Sequence, residues 1–145
     1  MNAAQEQNWA IACHLSSLIW VPVVLLGFKL IFFMNLFVPA VIWLNNKDHS
    51  ELIDTHGKES LNFQISMSLV GIGVILAVFV SMLMTRAMGA DPMSVVSGLL
   101  SGVGLVLSLV FLGTFALFQI TMVIFAAVKA KNGEFYRYPF TLRLL

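Results

Sequence analysis

His56-Gly57-Lys58-Glu59-Ser60-Leu61-Asn62-Phe63-Gln64 runs directly into residues 65–84, a stretch without one charged side chain. A helix needs roughly 20 apolar residues to cross a hydrocarbon core of ~30 Å. Residues 61–84 meet that length, so the reading is a membrane-spanning helix with charge and amide groups crowded at its threshold. Such groups either close a helix end at the membrane surface or form the working part of the molecule.

The composition supports a membrane class. The chain has 145 residues, 59% hydrophobic and 10% charged, with twelve Phe and eight Met. Soluble domains run nearer about 45–50% apolar and about 25% charged. The expectation is therefore an all-α integral membrane helical bundle, residues 1–145, in one domain. The net charge of +1 suggests no nucleic-acid partner. The single cysteine, Cys13, excludes an internal disulfide and reads as a small core residue. The N-terminal residues 1–8 lack Lys and Arg, so the first apolar segment is expected to stay rather than be cleaved as a secretory signal.

Four apolar stretches lie along the chain, at about 9–26, 30–44, 61–84 and 93–128. Gly27-Phe28-Lys29 is the only break between the first two, which predicts two short spans joined by a tight turn. One interfacial helix followed by one span is the alternative, giving three spans instead of about four. Pro22 and Pro39 should kink these segments. The last stretch would extend about 54 Å as one helix, too long for a single crossing. Asp91-Pro92 reads as a helix start, and Ser94, Ser97, Gly98, Ser101, Gly102 and Gly104 make the next turns weak. A short helix at about 92–102 and a span at about 104–129 follow. Lys129 and Lys131 close that span, with Asn132-Gly133 as a left-handed cap.

Charge bias orients the bundle. Lys47, Lys58, Lys129, Lys131, Arg137 and Arg143 fall on one side in a four-span arrangement, and Lys29 and Arg86 on the other. This predicts a multi-pass protein of the bacterial inner membrane with both termini, the 45–60 polar loop and the 132–145 amphipathic tail in the cytoplasm.

Several polar groups are candidates for function. In the 45–60 loop, Asp48 and Glu51 are spaced like a capping box, so a short helix should begin near Asp48. His49, Glu51, Asp54, His56 and Glu59 match no metal-ligand spacing, and no metal or other cofactor is expected. Glu59, Asn62 and Ser66 fall at offsets 0, 3 and 7, on one helix face. They suit either a polar lining or docking face, or hydrogen bonds that fix helix packing. His14 with Ser17 reads mainly as an interhelical hydrogen bond. Gly98 and Gly102 form a G-x-x-x-G pair, a hint of close helix packing or self-association. The aromatic and Arg residues of 135–145 suit the headgroup zone of a membrane. No hydrolase triad, phosphate loop or zinc-protease signature is present, and an enzyme is not expected.

Trp9-Ala10, His14-Leu15-Ser16-Ser17-Leu18, Pro39, Trp43-Leu44, residues 56–64 and Lys129-Ala130-Lys131-Asn132-Gly133-Glu134-Phe135-Tyr136-Arg137-Tyr138-Pro139 follow one another in an order that resembles a bacterial family of small membrane proteins of unknown function. That family is similar to the Tic-twenty type component of the chloroplast inner-envelope import apparatus. The resemblance implies a helical inner-membrane bundle and, for the chloroplast relative, a translocon role. The matching positions are His14, His56, Lys58, Glu59, Asn62, Gln64, Asn132, Gly133, Glu134, Tyr136, Arg137 and Pro139. Lys58 and Glu59 are expected to pair with Glu134 and Arg137. The functional expectation is a non-enzymatic accessory or scaffold subunit whose partners are the bilayer and another membrane protein or further copies of itself. An oligomeric channel built around the Glu59-Asn62-Ser66 face is the alternative. A metal handler or enzyme using His14, His49 and His56 comes third.

Overall fold

The structure, a computed structural model, describes residues 1–19, 22 and 34–145. Every regular element among them is helical, as expected of an all-α protein. Helix α1 (Ala3–Leu15) opens with a reciprocal cap: the Asn2 side chain accepts from the Gln5 amide, and the Gln5 side chain accepts from the Asn2 amide. It closes in a 3-10 turn, Ser16–Leu18. Helix α2 (Met34–Asn46) contains Pro39 and runs into the 3-10 turn Lys47–His49. Helix α3 (Glu51–Ala87), the short α4 (Met93–Leu100) and α5 (Gly102–Lys131) follow, and the chain then continues as an irregular tail.

The first compact unit comprises residues 1–67 and 119–145. Its core combines large apolar side chains, Ile53 and Phe63 among them, with small residues and an unusual number of polar groups. Ala10, Cys13, His14 and Ser17 share the inner face of the first helical segment, and Val123, Ala126, Ala127 and Ala130 recur at helical spacing on α5. Small side chains let backbones approach closely. Helix α1 packs on α2. Trp43 packs against Gly57, where any Cβ would collide with the indole. The Trp43 indole donates to Asp54 at 2.9 Å, and Lys47 sits 5.3 Å over its ring.

The second unit, residues 68–118, is apolar and open. Ile75, Leu76, Phe79 and Val80 on α3, and Val106, Leu107, Leu109 and Val110 on α5, are all more than half exposed. In α3 and α5 the most apolar windows have mean hydropathies of 2.5 and 2.2, and only 6% and 0% of them are buried. A core helix of a soluble protein would be covered. Apolar surface exposed on this scale belongs in lipid, and the protein is membrane-associated.

Four expectations change. Helix α3 starts at Glu51, so most of the 45–60 loop is helix. Ser50, not Asp48, starts it: Ser50 is extended (φ −164°, ψ 136°), and its hydroxyl accepts from the Leu52 amide at 3.2 Å. Gly98 and Gly102 form no packing stripe, because Ser101 is extended (φ −96°, ψ 137°) and places them on different helices. The close approach is instead at Gly104, whose Cβ position faces the Gly98 carbonyl. Asp91 accepts from the Met93 amide at 3.0 Å, but the helix begins one residue later than Pro92. The described parts of the first two stretches, α1 and α2, have 13 residues each, about 20 Å of helix, short of a crossing. Gly27-Phe28-Lys29 and nearly all of the surrounding stretch, on which the choice between two spans and one depends, lie outside the described residues. The start of α4 and the Gly98–Gly102 pair apart, the helices of the second half of the chain follow the expected pattern, with α5 ending at Lys131.

Candidate functional site

Three segments of the first unit meet at two histidines. His14 comes from α1, His56 from the second turn of α3, and both are fully buried. The third segment is the tail, aimed by the end of α5. There Gly133 adopts φ 71°, the Gly133 amide donates to the Ala130 carbonyl, and the Glu134 amide donates to the Lys129 carbonyl. This paired closure with a left-handed glycine turns the chain back across its own helix end. Asn132-Gly133 is the cap that the sequence indicates.

The contacts form one line. Tyr138 Oη lies 3.0 Å from His14 Nδ1, His14 Nε2 lies 2.8 Å from His56 Nδ1, and His56 Nε2 lies 3.1 Å from the Glu134 carbonyl oxygen. A carbonyl only accepts, so His56 carries its proton on Nε2 and accepts at Nδ1 when neutral. His14 must then donate from Nε2 and accept at Nδ1, and the Tyr138 hydroxyl donates. Tautomers are thus assigned by the network. Burial, with Tyr136 and Glu59 nearby, holds the Tyr138 hydroxyl well above its ordinary pKa, which keeps the donor proton in place. Each imidazole carries one proton, and every hydrogen bond runs from the tail through α1 and α3 back to the tail.

A second set of contacts continues along α3. Glu59 Oε2 accepts from the Tyr138 amide at 3.1 Å. Asn62 Oδ1 accepts from the amides of Leu144 and Leu145 at 3.0 and 3.2 Å. Ser66 Oγ accepts from the Leu142 amide at 2.8 Å while donating to the Asn62 carbonyl at 2.7 Å. The Phe63 ring stacks on Tyr138 at 4.2 Å and 11°. The Glu59-Asn62-Ser66 face is real, as the 0, 3, 7 spacing indicates. It supplies acceptors to the amides of Tyr138, Leu142, Leu144 and Leu145 in the chain's own irregular tail. The face invoked for a pore is therefore occupied.

The other candidates take different places. Gln64 accepts from Asn35 at 3.1 Å, toward α2. Ser60, buried, donates to the Cys13 carbonyl at 2.8 Å near the C-terminal end of α1. Ser17 donates to the His14 backbone carbonyl at 2.6 Å, not to its ring. Lys58 pairs with Asp54 at 2.7 Å and Glu134 with Lys129 at 2.6 Å, so the expected cross-pairing of Lys58 and Glu59 with Glu134 and Arg137 is not formed. Lys58 sits one turn after Asp54 on the half-exposed face, and the turn at Gly133 folds Glu134 back onto Lys129. That ammonium holds the exposed Glu134 carboxyl below its usual range. Asn132 donates to Glu134 at 3.4 Å, and the Tyr136 hydroxyl points at Met122 Sδ, 3.6 Å away. Arg137 is exposed and Pro139 begins the tail's turn. Among the described residues no group of three or more His, Cys, Asp or Glu side chains is placed to hold a metal.

Tyr138 is the residue that sequence reasoning missed. Its signal was present: an aromatic between Arg137 and Pro139 in the motif that was singled out. In a tail read as a membrane-surface segment it was indistinguishable from Tyr136. Chemically, the site is a clasp that fastens three segments, with uncharged imidazoles as its links.

A model of the MamF/MmsF family, described as the magnetosome magnetite crystal formation protein family, matches residues 5–145. No curated protein and no solved structure matches the chain. A bacterial family of small membrane proteins is thus found as expected, but it is one described by magnetite crystal formation instead of one of unknown function, and the likeness to the chloroplast import component finds no support.

Proposed function

Because the chain belongs to the magnetosome magnetite crystal formation protein family, we propose that it is a non-enzymatic accessory subunit of the magnetosome membrane that supports crystal formation. The family match across nearly the whole chain carries this reading. The site geometry is consistent with it: His14, His56, Glu59, Asn62 and Ser66 direct their hydrogen bonds at the chain itself. A body fastened in this way suits a rigid platform for a partner in the same membrane.

In this reading α3 leaves the first unit and α5 returns to it, so the basic residues Lys47, Lys58, Lys129, Lys131, Arg137 and Arg143 share one side. By the positive-inside rule that side is cytoplasmic, with the tail and the clasp. The partner is another membrane protein, and a homo-oligomer is the competing outcome.

The test is removal of the gene from a magnetosome-forming bacterium that carries it, with crystal size and number measured by electron microscopy. Altered crystals, restored by the full chain, are expected. Unchanged crystals would sink the proposal. Extraction of the restored protein in mild detergent should bring down another membrane protein in stoichiometric amount.

A further inference from the structure

The tail carries a feature that the clasp does not use. After Tyr138 the chain turns at Pro139 and Phe140, and Phe140 has φ 58°, a left-handed conformation that a bulky residue rarely adopts. Its side chain is 89% exposed. Leu142 and Leu144 beyond it are also exposed. The exposed Arg137 and Arg143 lie on either side of the turn, and neither has an ion-pair partner among the described residues.

The level of this turn along α3 is fixed. The Leu142 amide bonds Ser66, and the Tyr138 amide bonds Glu59. Residues 56–64 form the polar threshold of α3 and 65–84 its uncharged stretch. The turn thus sits beside the point where α3 passes from polar to apolar, and the two arginines bracket it. Aromatic rings favour the boundary between headgroups and acyl chains, and basic side chains near a membrane are drawn to anionic lipid.

We propose that the Pro139–Phe140 turn is an interfacial wedge for an anionic bilayer: Phe140 and Leu142 enter the headgroup–acyl boundary, and Arg137 and Arg143 bind the phosphate groups of acidic lipids. The backbone of the tail is held by α3, so the wedge is presented at fixed depth. The proposal does not depend on a role in crystal formation.

Phe140→Cys provides the probe, because the only native thiol, Cys13, is fully buried. The full chain, labelled there with an environment-sensitive fluorophore, is reconstituted in vesicles of phosphatidylcholine alone or mixed equally with phosphatidylglycerol. Quenching by nitroxide lipids and by aqueous iodide is compared. The expected result is quenching by shallow nitroxides, protection from iodide, and a stronger effect in the anionic vesicles. Replacing Arg137→Gln and Arg143→Gln should remove that lipid dependence, about five-fold per arginine in the membrane-side equilibrium. Free access of iodide in both vesicles would overturn the wedge. Protection from both quenchers would overturn it too, because a protein surface would then cover the turn. Equal nitroxide quenching in both lipids would overturn the arginine–phosphate part.

Discussion

The Tyr138 hydroxyl donates to a histidine nitrogen that has no other partner shown, in a site closed to water. Replacing Tyr138→Phe keeps the stack on Phe63 and leaves His14 Nδ1 as a buried acceptor without a donor. The cost of such an orphan is about 1–3 kcal/mol. Tyr136→Phe loses only a long contact to a thioether and should cost much less. Thermal unfolding of both variants in the same detergent separates them. At Gly57 two effects oppose each other. Alanine gains about 1 kcal/mol over glycine as a helix former, but its Cβ would lie 2.8 Å from Trp43 Cβ and nearer still to the ring. Overpacking of this kind costs about 1–3 kcal/mol. Trp43 is pinned by Asp54 and Lys47, so Gly57→Ala should lower the melting temperature.

At the scale of elements, the tail and α3 form one device. Glu134 enters the relay through its backbone carbonyl, while its carboxylate faces Lys129. Glu134→Gln should therefore leave the tail docked, as amide exchange at Tyr138 and Leu142 would show. Acid should not. The relay holds one proton on each imidazole and disfavours another: a second proton on His56 sets two N–H groups against each other across 2.8 Å, and one on His14 would put a charge at a fully buried ring and take the hydrogen bond that Tyr138 donates. In the unfolded chain both histidines take up protons as the pH falls past roughly 6.5. The unfolded state then binds more protons than the folded one, so stability must decline as pH falls below that value. A denaturation midpoint that stayed constant between neutral and mildly acidic pH would contradict this relay. The spacing of Glu59, Asn62 and Ser66 made the shared face legible in the sequence, because helical periodicity is local. What covers that face was not legible. The tail is irregular, its docking uses backbone amides that leave no mark on residue type, and its partner residues lie some eighty positions away along the chain.

The whole molecule divides into an exposed apolar unit, residues 68–118, and a unit with a polar core. The first was readable from residue counts alone, because hydrophobic length and helix geometry leave little choice. The second was misread in its boundaries. Charge in 45–60 suggested a solvated loop, yet His56 and Glu59 are buried because α1 and the tail close over them. Removing the tail after Lys131 should consequently unfold the polar-cored unit instead of freeing a peptide, with loss of detergent-resistant protein as the readout. Hydrogen–deuterium exchange on the intact protein in lipid nanodiscs tests the central claim most directly. If the tail is seated on the polar face of α3, the amides of Tyr138, Leu142 and Leu144 exchange as slowly as those of the buried helix turns around His56. Exchange of those three amides at the rate of an unstructured peptide would contradict it.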